Sequence, residues 1–166
     1  MIIIENICFC LLIAIVGAWF ANLVTNADKN KKSRISFKES LDLTDLPIIT
    51  LRQGDKRINL LLDTGSTKSV ILPSILDTLE YEVTGEVGTI YGMEGNMIET
   101  KYINMDLMYN YITYNEKFQV VDMSNAFNSI KQSTGVNIHG ILGNSFFEKY
   151  GYVIDFKELV AYGKHN

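Results

Sequence analysis

The chain opens with an apolar block, crosses a polar stretch and then alternates between short apolar runs and turn residues for most of its length. From Ile7 to Val24 it reads ICFCLLIAIVGAWFANLV, with no charge and Asn22 as its one strongly polar residue. As a helix this block spans ~27 Å, close to the hydrocarbon thickness of a bilayer, which predicts a transmembrane anchor over 7–24 behind a short tail, 1–6. Trp19 and Asn22 fall near one end, where a membrane interface suits them. A cleaved secretory signal is the rival reading. It calls for a basic start, yet the preceding MIIIEN holds Glu5 and no Lys or Arg, and the small-residue site near Ala27 is weak. Residues 25–44 are polar and read as a tether. Lys29, Lys31, Lys32 and Arg34 follow the apolar block at once, which predicts that the main domain stays on the cytoplasmic side.

Beyond Pro47 the pattern is that of strands. IITLRQ (48–53) and KRINLLLD (56–63) flank Gly54-Asp55, a hairpin-type turn pair. SVIL (69–72) is a further short strand, and Pro73 suits the first turn of a short helix in PSILDTLE. Residues 82–92 and 97–108 read as two strands joined through the tip Gly92–Gly95, and 112–123 continues the pattern. NSFFEKYG (144–151) is the best helix of this part, with Asn144 or Ser145 as cap and Gly151 as stop. YVIDF and LVAYG form a last hairpin around Lys157 and Glu158. The sum is a mainly β domain over 45–166, with enough strands to close a small barrel and one short C-terminal helix.

Composition narrows the partners. The chain has 166 residues, 47% of them hydrophobic, and a net charge of −4. That is a folding composition with room for one domain and an appendage. Its mild acidity argues against nucleic acid as the main partner, since phosphate binding wants a basic surface. No internal repeat and no Cys/His metal spacing is visible. The only cysteines, Cys8 and Cys10, lie in the apolar block and read as apolar filler. The rest of the chain therefore has no disulfide, which fits a reducing compartment.

One residue breaks the apolar pattern in a way that needs a reason. In INLLLDTGSTKSVIL (58–72), Asp63 stands between Leu60–Leu62 and Val70–Leu72. A carboxylate between two apolar runs is either expensive or useful. Gly65 lets another backbone come close, because it has no Cβ, and Thr64 and Ser66 supply hydroxyls that lock a loop. A single carboxylate is a poor peptide hydrolase, whereas two sharing one proton are a good one. The chain has one Asp-Thr-Gly and no Asp-Ser-Gly, so a second carboxylate must come from a second copy across a two-fold axis.

LLLDTGSTKSVI, the Gly-flanked hairpin IYGMEGNM and GILGNSFFEKYGYVIDF together resemble the three signatures of the retropepsin-like aspartic proteases, over residues 47–162. The resemblance implies a small closed β-barrel acting as a homodimer on peptide or protein substrates, with no metal and no cofactor. Asp63 would be half of a catalytic dyad and Thr64 would grip its counterpart across the axis. Gly65 and Ser66 would complete the fixed loop, and Ile141, Leu142 and Gly143 would thread beside it. Residues 90–97, with Tyr91, Gly92, Met93, Glu94 and Gly95, would form a flap over an extended substrate. Two features depart from the retroviral members. Asn144 and Ser145 stand where those have an Arg and a polar partner, and KELVAYGKHN continues past the point where they end. The resemblance is closer to the cellular and bacterial members.

Three more residues carry weaker signals. His139 reads as a structural or surface histidine, Asp155 as a surface or dimer-contact carboxylate, and Lys68 as a solvated charge at the loop end. Two other classes of function compete with hydrolysis: a non-catalytic dimerisation or peptide-binding module that keeps the fold, and a membrane-associated structural protein.

Overall fold

The computed structural model describes residues 34–91 and 97–163, together with Ile15, Ala18 and Trp19. Residues 1–33 and 34–166 form separate units. In the first, Ile15, Ala18 and Trp19 are helical and exposed; the rest of the anchor expected over 7–24 lies outside the described residues, as do residues 25–33 of the tether. Among the described residues, no helix is long and apolar enough to cross a membrane.

The second unit begins earlier than the expected boundary at 45. β1 (Ile35–Ser36) and α1 (Lys38–Thr44) belong to the fold, which corrects the reading of 25–44 as tether throughout. Ile35 pairs with Ala161 near the other end of the chain, and Ile35 and Phe37 are buried in the main core. Their partners are more than 100 residues away, so two apolar residues in a polar stretch could not announce them. The Ser40 hydroxyl oxygen receives the Ile48 N–H at 3.0 Å, which ties α1 to the first long strand.

The apolar runs around Gly54-Asp55 form the expected hairpin, β2 (Ile48–Gln53) with β3 (Lys56–Leu62), in register from Ile48↔Leu61 to Gln53↔Lys56. β4 (Ser69–Ile71) and a 3₁₀ turn (Pro73–Thr78) follow. Next come β5 (Glu82–Tyr91), β6 (Met97–Tyr109) and β7 (Ile112–Val120). α2 (Ser124–Thr134) leads to β8 (Gly140–Leu142) and α3 (Asn144–Tyr150); β9 (Tyr152–Asp155) and β10 (Val160–Gly163) make the last hairpin. The strands β2-β3-β8-β4-β7-β6 lie side by side, and a contact between β2 and β6 at Arg52↔Met108 closes them into a six-stranded barrel. β5 extends this sheet beyond β6, while β1, β10 and β9 form a second, three-stranded sheet.

The core explains which strands read as continuous apolar runs. Leu60, Leu62, Ile71 and Leu142 point into a cluster with Leu51, Ile58, Ile103, Met105, Leu107, Phe118 and Phe146. Val70 and Ile141 point the other way, into a smaller cluster with Ile48, Leu72, Phe127 and Ile138. Strands covered on both faces need no polar alternation. Phe127 comes from α2, the longest of three helices among the described residues of the domain, which corrects the expectation of one short helix. The cap expected at Asn144 or Ser145 is also corrected: Gly143 is the N-cap of α3 and makes no side-chain cap bond. The orphan N–H groups of the first turn are met from outside the helix. Asn144 donates to the Ser66 carbonyl at 2.8 Å and Ser145 to the Thr67 carbonyl at 3.3 Å.

Candidate active site

Asp63 sits directly after β3, half-buried, with its backbone N–H on the Leu142 carbonyl at 3.1 Å. The parallel pairing of β3 with β8 runs Leu60↔Gly140, Leu61↔Ile141 and Leu62↔Leu142, so this bond continues the ladder by one step past the strand end. The chain then turns sharply. Asp63 Oδ1 accepts the Gly65 N–H at 2.8 Å, and the Ser66 N–H returns to the Asp63 carbonyl at 3.2 Å. Ser66 Oγ donates to the Lys68 carbonyl at 2.7 Å. Asp63 thus shapes its own loop with one carboxylate oxygen, an Asx-type turn. Thr64 and Gly65 are exposed at the tip, and Lys68 points to solvent.

Ile141, Leu142 and Gly143 come from 80 residues further on, and the fold lays them against this loop. The fit is tight enough to demand glycine. A Cβ at Gly143 would overlap the Lys68 carbonyl and stand 2.7 Å from the Ser66 carbonyl oxygen. A Cβ at Gly140 would overlap the Val70 carbonyl. Two backbones therefore cross at van der Waals distance, one carrying Asp63 and the other ending at the N-terminus of α3.

Beneath the crossing lies a group that the sequence reading missed. Glu116 of β7 is only 2% exposed. Its Oε1 accepts the Ser69 hydroxyl at 2.7 Å and the Ser145 hydroxyl at 3.3 Å. Burial pushes its pKa up, while the hydrogen bond from Ser69, the charge of Lys149, the bond from Ser145 and the charge of Lys117 pull it down. The signal was present: in ITYNEKFQV, Glu116 shares strand parity with Tyr114 and Phe118, so alternation places all three on the inner face.

The other candidates fall into plain roles or outside view. His139 Nδ1 accepts the Asn59 backbone N–H at 2.9 Å and the His139 backbone N–H donates to the Asn59 carbonyl at 2.9 Å, which pins the segment ahead of β8 to β3. Burial, helped by the Lys131 charge, holds its pKa below the usual histidine value. Asp155 Oδ1 caps a turn by accepting the N–H groups of Lys157 and Glu158 at 2.9 and 3.0 Å. Of the expected flap, the Tyr91 backbone pairs with Met97, and the Tyr91 side chain and Gly92, Met93, Glu94 and Gly95 lie outside the described residues. In that hairpin Met97 and Ile98 next to the tip, and Val83 and Val87 lower down, are exposed. A concavity of about 470 Å³, walled by residues such as Gln53, Tyr81, Glu82 and Asn104, has neither Asp63 nor its loop in its lining. Among the described residues, no group of three or more His, Cys, Asp or Glu side chains is arranged to hold a metal ion.

No protein-family model and no curated protein matches the chain. Among the solved structures that it matches is an EIAV protease complexed with the inhibitor HBY-793. That structure is 22% identical to this chain, with a TM-score of 0.45, and the match covers 64% of this chain and 88% of the viral one.

Proposed function

We propose that the chain is a membrane-tethered aspartic endopeptidase that acts as a homodimer, with its catalytic domain on the cytoplasmic side. The observation that carries this reading is the Asp63 loop itself: a half-buried carboxylate at a strand end, on a turn held by the crossing backbone of Leu142 and Gly143. Such a loop holds a charged group at a fixed place without a flexible side chain doing the work. In the dimer the two Asp63 carboxylates stand about 3 Å apart and cannot both ionise, so the pair retains one proton. The ionised member takes a proton from a water as that water attacks the peptide carbonyl, and the protonated member donates to the carbonyl oxygen. Thr64, exposed at the loop tip, would grip its counterpart across the axis. The β5–β6 hairpin closes over the substrate, excludes bulk water and binds extended backbone in strand fashion. Tethering to one surface raises the local concentration of subunits and favours pairing.

The test is cleavage of a mixed peptide library by the full chain and by Asp63→Asn, with the dimer verified by sedimentation. The reading expects cleavage by the wild type, a bell-shaped pH dependence and none by the variant. A wild-type dimer that cuts nothing between about pH 4 and 7 would make the domain a binding module instead.

A further inference from the structure

Among the described residues Glu116 is the one buried carboxylate, and the proposed hydrolysis gives it no chemical step. Its position explains what else it does. Ser69 Oγ, which donates to Glu116, receives the Gly143 N–H at 3.2 Å. Ser145 Oγ, which also donates to Glu116, receives the Ser69 N–H at 3.2 Å. These four bonds form one circuit through β7, the start of β4 and the first turn of α3. Its logic requires an acceptor at the centre. Each serine has one proton to give, and both point at the same oxygen, which leaves both hydroxyl oxygens free to receive buried backbone N–H groups. A carboxylate does this more strongly than a neutral group. The charged groups around it are Lys149 on α3 and Lys117 on β7, with the Tyr150 hydroxyl of α3 also within its field. Lys149 is itself held by a bond from its Nζ to the Asn115 carbonyl.

We propose that Glu116 is a positioning residue for the candidate catalytic loop. Through Ser69 and Ser145 it clamps the segment after Asp63 to the turn at Gly143, and so fixes where the Asp63 carboxylate stands. Ser69 lies six residues beyond Asp63, and Ser66 is bonded to Asn144, so a slip at the clamp is passed to the loop through two short backbone links. A misplacement of about 1 Å at a catalytic group is enough to lose about 100-fold in rate. Only the catalytic consequence rests on the hydrolase reading; the clamp itself does not.

The test uses the full chain with Glu116→Gln, Glu116→Leu, Ser69→Ala and Ser145→Ala. Hydrogen exchange is followed at the Gly143 amide, with the Ile103 amide of β6 as reference for global opening. Glutamine keeps an acceptor oxygen, so Glu116→Gln should retain Gly143 protection and a kcat within about threefold of wild type. Glu116→Leu and Ser69→Ala should expose Gly143 relative to Ile103 and lower kcat by about 10- to 100-fold with KM nearly unchanged. Should Glu116→Leu fail to fold, the two serine variants carry the same comparison. Unchanged Gly143 exchange in the folded variants overturns the clamp, and so does a glutamine variant as impaired as the leucine one. A wild type that cuts nothing removes the hydrolase reading alone, and the exchange result still decides whether Glu116 positions the loop.

Discussion

The Asp63 loop and the β5–β6 hairpin are built on opposite plans. The loop is closed by backbone and buried hydroxyl bonds, with Gly143 and Gly140 pressed against carbonyl groups and Glu116 buried below. The hairpin is a long ribbon with a register shift between Val83 and Val87, apolar side chains in solvent and a surface ion pair from its Glu86 to Lys117 of β7. Polar groups locked in a low-dielectric interior hold geometry strongly, whereas exposed ribbons open at little cost. The contrast is what the proposed hydrolysis would need, a fixed reacting group under a cover that moves.

The largest effect should come from the loop. Asp63→Asn keeps the shape of the carboxylate and an oxygen for the Gly65 N–H, so the fold should survive with an unchanged unfolding midpoint. On the proposed mechanism the rate should fall by about 10²–10⁴-fold, because the proposed general base is gone. A variant that keeps cutting peptides at the wild-type rate would remove the loop from the chemistry.

Two glycines sharpen the comparison directly. Gly143→Ala drives a methyl into two backbone carbonyls that have nowhere to go, and should lower stability by about 3 kcal/mol or more. At Gly88 in the hairpin a Cβ would meet side-chain atoms instead, Tyr102 Cε2 at 2.8 Å, Gln119 Nε2 at 2.9 Å and Thr100 Oγ1 at 2.9 Å. Side chains yield more readily than backbone carbonyls, although Gln119 and Thr100 are buried and bonded to each other at 2.7 Å, so Gly88→Ala should cost less, about 1–2 kcal/mol. Urea midpoints for the two variants decide the matter, and equal losses would erase the difference between the regions.

A smaller effect separates charge from hydrogen bonding beneath the loop. Burial raises the Glu116 pKa above the ordinary value of 4.5, so the folded chain holds this proton more tightly than the unfolded one. Its contribution to stability is fully present below that ordinary value and is lost as pH rises through the raised one. Glu116→Gln cannot ionise. Its stability should therefore decline less than that of wild type from pH 4.5 upward, with the gap levelling once Glu116 is fully charged. Denaturation midpoints over this range measure it, and parallel curves for the two proteins would mean that the carboxylate is not penalised by burial.

What could be read from residue order divides along the same physical lines. The hairpin β2–β3, the ribbon β5–β6 and the end hairpin β9–β10 were legible, because each is local and is marked by Gly54, by Gly-flanked tips or by turn residues. The Asp63 loop stood out because a carboxylate between apolar runs has no cheap explanation. α2 did not stand out, since Phe127 and Ile130 are its main apolar residues and a stripe that thin gives weak helical periodicity. The only clear mark was its stop, Gly135, at φ 77°. β1 escaped because its partner is β10, and Gly140 because its close neighbour is the Val70 carbonyl. Glu116 was legible by parity but was passed over, because its serine partners lie 47 and 29 residues away and only the fold brings them together.

The smallest predicted effect belongs to the residue next to Glu116. Lys117 faces outward, and its Nζ lies 2.9 Å from Glu86 Oε2 and 3.1 Å from Oε1, over the Tyr102 ring of the strand between them. The pair therefore reaches from β7 across β6 to the bulged part of β5. Both side chains remain about half in water, at 44% and 55% exposure, so screening and side-chain entropy consume most of the attraction. A double-mutant cycle with Lys117→Ala and Glu86→Ala should give a coupling of about 0.2–1 kcal/mol, falling toward zero in about 1 M salt. Glu116 and Lys117 are adjacent on one strand, so the pleat alone assigns one to the locked loop and the other to the open ribbon. A coupling several times larger and insensitive to salt would mean that the hairpin is fastened to β7 as firmly as the loop is to α3. The two regions would then follow a single plan, and a moving cover would lose its structural basis.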